Sequence, residues 1–401
     1  MTRVLRLGVE LIDDSSWMGG TIYLRNLILT LCRLPATERP EITILGDPEA
    51  TSSFMSEHAH LPLNKNSSQS YLQRFFRWLR PYSQENQSPD VIYPGFAKTI
   101  QGAVTLRWIP DFQHRHLPGL FQPSEIDSRN EAIAEIATSP QIVVLSSSVA
   151  RADFLRFYPD TVAIPRVWRF CSLINTERRL SGTIRQTYCL PEKYLYLPNQ
   201  FWVHKNHITV FKAIALLKRE RDMIIPLVCT GGTSDRRNES HLRGLMNFLA
   251  DCQLLDQIRI LGLIPRNEQE EVLRCATAIV QPSLFEGWST VLEDARAVGR
   301  PVFASDIDVH REQALSHCSY FPPASEELLA ELISSRWTNL VPGPDSTSEL
   351  IAREMMQKRI LSSAREFRQI AADALQISNL LDRNGNPGVF EEPASTSHCA
   401  L

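Results

Sequence analysis

Two stretches of the chain combine residue types and spacings suited to chemistry on a phosphate-bearing substrate. The first is Gln281–Ala304, QPSLFEGWSTVLEDARAVGRPVFA. A β-branched run ends at Val280, a loop holds Pro282 to Trp288, a helix follows, and a new strand begins after Pro301. Thr290 and Glu293 fit a capping box, with Thr290 as N-cap and Glu293 at the third helical position. Ser289 and Thr290 thus stand where a helix starts, and the unpaired amides and positive dipole end there make a diphosphate site. Glu286, in the loop just before, would point at whatever group hangs from that diphosphate. Capping boxes also occur in helices that bind nothing, so the pattern alone leaves Glu286 and Glu293 open to a purely structural part. The second stretch is Tyr194–His207, YLYLPNQFWVHKNH. A strand runs into a loop that carries Asn199 and Gln200 and ends at Lys205, with Asn206 as N-cap of the next helix. A lone lysine before a helix is usually a solvated charge; placed between a strand end and a helix start, Lys205 fits a phosphate.

Two weaker signals lie in the first half. In WMGGTIYLRN, Trp17–Asn26, the glycines Gly19 and Gly20 follow the first strand and let backbone approach a ligand closely, although the pair is not a GxGxxG fingerprint. In WIPDFQHRHLPGLF, Trp108–Phe121, Asp111, His114 and His116 cluster after a strand, where loop histidines are equally often plain surface residues. Asp306-Ile307-Asp308 reads as a DxD metal motif with His310 and Glu312 nearby, but its place in a loop after a strand favours no metal site. Leu72–Arg80, LQRFFRWLR, reads as a packed amphipathic helix or as an interfacial one whose arginines meet anionic headgroups.

The elements that must position these residues alternate between short β-branched runs and amphipathic helices, the pattern of parallel α/β sheets. Strands are expected at Val4–Glu10, Ile42–Leu45, Val91–Tyr93, Val104–Trp108, Ile142–Leu145 and Thr161–Ile164. A second series falls at Tyr194–Leu197, Ile224–Cys229, Ile258–Leu261, Ala278–Val280 and Val302–Ala304, with helices near 207–220, 240–252, 267–275 and 290–299. Leu24, Leu27, Ile28 and Leu31 mark the buried face of the first helix. Each half reads as its own doubly wound, Rossmann-like sheet, with a cleft between them at the carboxyl ends of the strands. The expected division is an N-terminal domain 1–185, a C-terminal domain 186–345, a helix 346–381 crossing back, and a solvated tail 382–401; Asn64–Ser70 reads as loosely packed. A chain of 401 residues agrees with two cores. The net charge of -3 argues against a dedicated nucleic-acid binder. Eight cysteines with no CxxC pair point to a reducing cytosol. No apolar run approaches the ~20 residues of a membrane span, and the N-terminus does not read as a secretory signal.

The segment from Pro282 to Ser305 resembles the signature of glycosyltransferase family 4, the group 1 glycosyltransferases of GT-B fold, through Pro282-Ser283, Glu286-Gly287-Trp288, Glu293, Ala295, Gly299, Pro301-Val302 and Ser305. The resemblance covers nearly the whole chain and is strongest from Tyr194 to Phe321. It implies a retaining transfer of a hexose-type sugar from a nucleotide-diphosphate sugar, with no cofactor or metal, to a glycan or lipid-linked glycan acceptor in cell-surface polysaccharide synthesis. It implies that Glu286 contacts the transferred sugar, Lys205 the diphosphate and Glu293 the ribose. It further puts Gly19 and Gly20 near acceptor and phosphates, and Asp111 and His114 on the acceptor-side loop. Three departures stand out. The glutamates are seven positions apart where the family has eight, and Asp294 restores that separation. The family's upstream arginine is replaced in the stretch holding Asn199 and Gln200, and Pro110 stands where a histidine often precedes the aspartate. A cytoplasmic protein, peripheral on the inner face of the membrane if Leu72–Arg80 is interfacial, is the expectation. A sugar-nucleotide epimerase, a dehydrogenase and a non-catalytic glycan binder are the rival classes; the missing glycine fingerprint disfavours the dehydrogenase.

Sugar transfer is therefore expected to survive EDTA, and Asp308→Asn is expected to leave it largely intact. Loss of activity on chelation, restored by manganese, would overturn the placement of Asp306 and Asp308 outside a metal site.

Overall fold

The computed structural model describes residues 4–12, 17–64, 88–96, 100, 102–174, 181–235 and 237–384. The helix expected at Leu72–Arg80 and most of the segment Asn64–Ser70 lie outside these residues, as does the tail beyond Asn384. Among the described residues no helix is long and apolar enough to cross a membrane.

The first half contributes β1 (Arg6–Leu11), β2 (Glu41–Gly46), β3 (Leu63–Asn64), β4 (Val91–Tyr93) and β5 (Val104–Thr105), in the order β3-β2-β1-β4-β5. It also forms a second ladder, β6 (Arg107–Ile109), β7 (Ile142–Leu145) and β8 (Ile164–Val167). Both ladders are parallel throughout. The run expected as one strand over Val104–Trp108 is broken at Leu106. Its first part pairs with β4 and its second with β7, so one stretch of chain links the two ladders. The strand expected at Thr161–Ile164 begins three residues later. Thr161 spends its hydroxyl on the Ala137 carbonyl and on the Ala163 amide, a local turn that keeps the backbone out of the ladder.

The second half forms one parallel sheet from β9 (Leu195–Leu197), β10 (Leu227–Cys229), β11 (Ile258–Ile260), β12 (Ala278–Gln281), β13 (Val302–Ser305) and β14 (Cys318–Phe321). Its order is β11-β10-β9-β12-β13-β14. The apolar run from Ile224 enters the sheet only at Leu227: Ile224 is 69% exposed, and Pro226 has no amide to give to a ladder. Central strands are buried along their length, as sheets covered on both faces require.

Helices cover the sheets. α1 (Met18–Leu31) buries Leu24, Leu27, Ile28 and Leu31 against Leu7, Val9, Ile42 and Ile44, the face its periodicity marks. α2 (Pro48–Glu57), α3 (Gln113–His116), α4 (Pro123–Ala137) and α5 (Ser148–Phe157) complete the first half. In the second half, α6 (Ser181–Thr187), α7 (His207–Arg221), α8 (His241–Asp251), α9 (Arg266–Cys275), α10 (Thr290–Ala297), α11 (Asp308–Gln313) and α12 (Glu326–Trp337) follow in order. α7 packs Val210, Phe211, Ile214 and Leu217 into the core with Leu195, Leu197 and Leu227. The last helix, α13 (Ser346–Asn384), is longer than the expected 346–381. It returns to the first half, where Phe367, Ile370 and Ala371 join the first core and the Trp168 indole donates to the Ser363 carbonyl.

In each of the two larger sheets a central strand is followed by neighbours on one side and later by a neighbour on the other. β9 lies between β10 and β12, and β1 lies between β2 and β4. Loops that leave the two strands at such a reversal diverge to opposite faces and open a crevice at the strands' carboxyl ends. The cleft between the halves lies at these two crevices.

Candidate functional site

The cleft has a volume of about 1510 Å³ and is lined from both halves. Its C-terminal wall is built on the loops that follow β9 and β12. After β9 the chain passes Asn199 and Gln200 and makes a 3-10 turn at Val203–Lys205. Asn206 then adopts a left-handed conformation with φ 55°. Its side chain does not cap α7, as the sequence suggests; its amide instead donates to the Pro282 and Pro323 carbonyls, tying the β9 loop to the β12 loop. With the loops so joined, Lys205 Nζ meets Glu286 Oε1 at 2.5 Å, both side chains largely buried. Glu286 also accepts from the Gln281 amide at 2.9 Å, and Gln281 in turn accepts from Asn199 Nδ2 at 2.7 Å. Asn199 and Gln200 both line the cleft, Asn199 bonded to Glu286 through Gln281 and Gln200 beside Gly231 and Gly232. Gly231 is required by geometry: with φ 132°, its Cβ would lie 2.3 Å from the Asn199 carbonyl oxygen. The pair Gly231-Gly232 after β10 carries the same signal as Gly19-Gly20 after β1, and sequence reasoning passed over it.

α10 starts in the same wall, but not as a Thr290–Glu293 capping box. Ser289 is the N-cap, its hydroxyl accepting from the Leu292 amide, and Thr290 is the first helical residue, facing the cleft. Gln313 from α11 clamps this start, accepting from the Ser289 amide and donating to the Ser289 carbonyl. Glu293 sits one position deeper than a capping box needs. It is fully buried and turned away from the cleft, with Oε2 2.6 Å from an Arg359 guanidinium nitrogen of α13 and Oε1 3.1 Å from the Gln313 amide. Its carboxylate is spent on a structural tie between α10 and α13. The next residue, Asp294, faces the cleft. It is held by Arg266 through bonds of 2.7 and 2.6 Å and by the Ser172 hydroxyl at 2.5 Å. Successive helical residues diverge by about 100°, so one of the two acids faces the cleft and the other α13.

The N-terminal wall brings Asp111 and His114 to the same cleft. Asp111 accepts from the Gln113 amide at 2.9 Å, and burial raises its carboxyl above the usual range. His114, in the short α3, is buried with Nε2 3.0 Å from Asn130 Oδ1; Nδ1 has no partner among the described residues, and burial lowers its pKa. His116 turns away from the cleft to pair with Asp153. Gly19 and Gly20 lie within the first turn of α1, not in a loop ahead of it, and both line the cleft. Gly20 packs on the Trp17 ring, where a Cβ would come within 2.9 Å of three ring atoms. The two walls touch at Gly287, whose Cβ would lie 2.4 Å from the Pro110 carbonyl and 2.9 Å from the Asp111 Cβ. The aspartate is thereby set against the Glu286 loop. Across the cleft mouth Arg237 lies over the Phe121 ring at 4.1 Å and 3.6 Å from Glu125, a contact with no signature in the sequence. Of the DxD residues, Asp306 is paired with Arg311, and Asp308 is the first residue of α11.

Residues 190–339 match the family described as Glycosyl transferases group 1. A stretch of 157 residues is 28% identical to the O-antigen chain mannosyltransferase RfbU of Salmonella typhimurium. That stretch is 39% of this chain, and it spans only 41% of the relative's length. Among solved structures, HepE of Anabaena in complex with UDP and glucose superposes with a TM-score of 0.58 over 94% of this chain and 98% of its own, at 14% identity. Sucrose-phosphate synthase of Thermosynechococcus elongatus gives 0.57 over 94% and 99%, at 16% identity. These likenesses establish the shared two-domain GT-B fold.

The neighbouring acids should separate by experiment. Glu293→Ala strands Arg359 and is expected to lower stability by about 2–4 kcal/mol, below the figure for a wholly buried pair because Arg359 is partly exposed, with nucleoside-diphosphate binding little changed. Asp294→Asn is expected to weaken that binding several-fold. Chemical denaturation and titration calorimetry of both variants check the assignment; weakened binding in Glu293→Ala alone would reverse it.

Proposed function

We propose, with the match to the group 1 glycosyl transferases as premise, that this chain transfers a hexose-type sugar from a nucleoside-diphosphate sugar to a glycan or lipid-linked glycan acceptor, with retention of configuration, in cell-surface polysaccharide synthesis. The observation that carries the proposal is the meeting of Lys205 and Glu286 at the β9/β12 crevice, beside the start of α10 and in a cleft closed by the opposite domain. The name of the Salmonella relative and the UDP and glucose held by the Anabaena neighbour support the same substrate class.

In this scheme the bond between C1 of the sugar and the diphosphate oxygen breaks while the acceptor oxygen bonds to C1 on the same face. The acceptor's proton passes to the departing diphosphate. Negative charge grows on the leaving oxygen, and the Lys205 ammonium and the first amides of α10 stand ready to receive it without reorganisation. No divalent cation takes part in the scheme. Glu286 aims Lys205 and offers its second oxygen to the sugar hydroxyls. Asp294, held by Arg266 and Ser172, takes the ribose in place of Glu293. Asp111, pressed against Gly287, lies where the transferred sugar would extend from Glu286, and His114 offers Nδ1 to a sugar hydroxyl. A cleft closed around these groups excludes the water that would otherwise hydrolyse the donor.

Charge-assisted hydrogen bonds contribute roughly 1.5–3 kcal/mol, so Lys205→Ala is expected to lower kcat/KM by about one to two orders of magnitude. Lys205→Arg should restore part of it, because a planar fork does not reproduce a point charge. An alanine variant with unchanged kcat/KM would remove Lys205 from the site. Glu286→Gln keeps an acceptor for Lys205 and Gln281 but loses the charge. It should cut kcat strongly while the melting temperature and the affinity for free nucleoside diphosphate stay close to wild type. A Gln variant with normal kcat would assign Glu286 to structure alone.

A further inference from the structure

The N-terminal sheet has its own strand reversal, at β1 and β4, and the chain leaving those two strands carries aromatic rings to the cleft. Trp17 follows β1, and Phe96 follows β4. Trp17 stacks on Trp108 with ring centroids 5.5 Å apart and 12° between planes. Trp108 stacks on Tyr23 at 4.0 Å and 4°. Phe96 leans on both tryptophans at 6.3 and 6.1 Å. The stack is anchored from behind: the Trp108 indole donates to Ser146 at 3.0 Å, and the Tyr23 and Tyr93 hydroxyls are paired at 2.5 Å in full burial. The exposed member is also held. The Phe96 amide donates to Glu10, a buried carboxylate, at 2.7 Å, and Arg107 donates to the Gly95 carbonyl on the other side of the turn. Phe96 is nevertheless 51% exposed. A large apolar ring fixed by a buried carboxylate and backed by three stacked rings, yet open to a cleft, is a surface prepared for a partner.

We infer that Phe96, backed by Trp17 and Trp108, is the platform on which a pyranose ring of the acceptor stacks. The inference rests on the proposed transfer reaction. A pyranose has one face of C–H groups and a rim of hydroxyls, so it needs an aromatic face with polar groups at the edge. The cleft supplies both: the platform itself, and Asp111, Gln113 and His114 farther along the segment that carries Trp108. Asp111 is three residues from Trp108, at most about 10 Å along an extended chain, and it abuts Gly287 in the donor wall. A sugar lying on the platform therefore presents its hydroxyls toward the Glu286 loop. The aromatic residues thus define an acceptor subsite for carbohydrate, opposite the crevice that carries Lys205.

Saturation-transfer NMR tests this with methyl α-D-mannopyranoside, methyl β-D-galactopyranoside, maltotriose and farnesyl phosphate, each with the wild-type chain, Phe96→Ala and Phe96→Tyr, in the presence and absence of UDP, GDP or ADP. At least one sugar is expected to bind, with its ring C–H protons most strongly saturated and shifted upfield. Phe96→Ala should weaken that binding about three- to tenfold, the range for loss of one aromatic contact, while Phe96→Tyr retains it and both variants bind UDP as the wild type does. Sugar binding indifferent to Phe96→Ala, or no binding of any sugar to the wild type, overturns the inference. Farnesyl phosphate binding that Phe96→Ala abolishes, without sugar binding, also overturns it and makes the platform a lipid site. Failure of UDP, GDP and ADP alike to bind the wild type counts against the transfer reaction instead, and Phe96-dependent sugar binding would then still support a carbohydrate platform.

Discussion

The reversal of strand order on either side of β9 governs the rest of the structure. Because β10 and β12 flank it, the loops after β9 and β12 open away from each other, and the side chains at their ends meet across the gap. Lys205 and Glu286 are 81 residues apart in the chain, yet their charged atoms lie 2.5 Å apart. That pairing needs the loops locked in mutual register, and the Asn206 amide, bonded to Pro282, provides the lock. Gln281, at the very end of β12, carries the register inward by joining Asn199 to Glu286. A buried ammonium and carboxylate are costly unless each is further satisfied, and this row of amides satisfies Glu286. The same topological device in the first domain, around β1, sets Trp17 and Phe96 at the opposite wall. Two sheets of one design face each other, one presenting charge and the other aromatic rings.

Joining the domains falls to a few polar contacts around that cleft and to one long helix. Glu312 of α11 accepts from the Ser148 and Val149 amides at the start of α5, at 2.8 and 3.1 Å, and also pairs with Arg169. A carboxylate at a helix N-terminus meets both the open amides and the positive dipole end. Trp288 reaches from the second domain into the first core and donates to the Phe170 carbonyl. α13 runs from the second domain, where Arg359 holds Glu293, to the first, where Phe367 and Ala371 are buried. A shift of the domains against each other would move Arg237 relative to Phe121 and Glu125 and would also displace Trp288 within the first core.

α10 is where charge, packing and recognition compete for the same few residues. Its N-terminus is needed at the cleft, its apolar face belongs to the core through Leu292 and Ala295, and its acids point two ways. Glu293 is buried because α13 passes behind the helix and offers Arg359; Asp294 faces forward, held by Arg266 at the cleft and by the buried Ser172. The acid at the eighth position is the one in the cleft, one methylene shorter than a glutamate, and the glutamate at the seventh has become part of the frame.

Local pattern was enough to find what periodicity and short spacing control. The strands from Tyr194 to Val302, the buried face of α1, and Lys205, Glu286 and Asp111 at strand ends follow from alternating runs and from the rule that parallel sheets bind at their carboxyl edge. The exact cap of α10, the break of one strand at Leu106 and the late start of β8 escaped, because single hydroxyls and backbone angles decide them. Other features depend on residues far apart in the chain. Arg266 holding Asp294, Arg359 burying Glu293, Gly287 against Pro110, and the ring stack of Trp17, Tyr23, Phe96 and Trp108 join segments that nothing in the sequence pairs. The sequence by itself determined that both halves would fold as parallel, Rossmann-like α/β layers and which loops would carry the charged groups, since hydrophobic period and turn chemistry act over a few residues. Which carboxylate faces the cleft, and which aromatic rings stay exposed, only the tertiary structure decided, because burial and ion pairing depend on what the rest of the chain packs against each side chain.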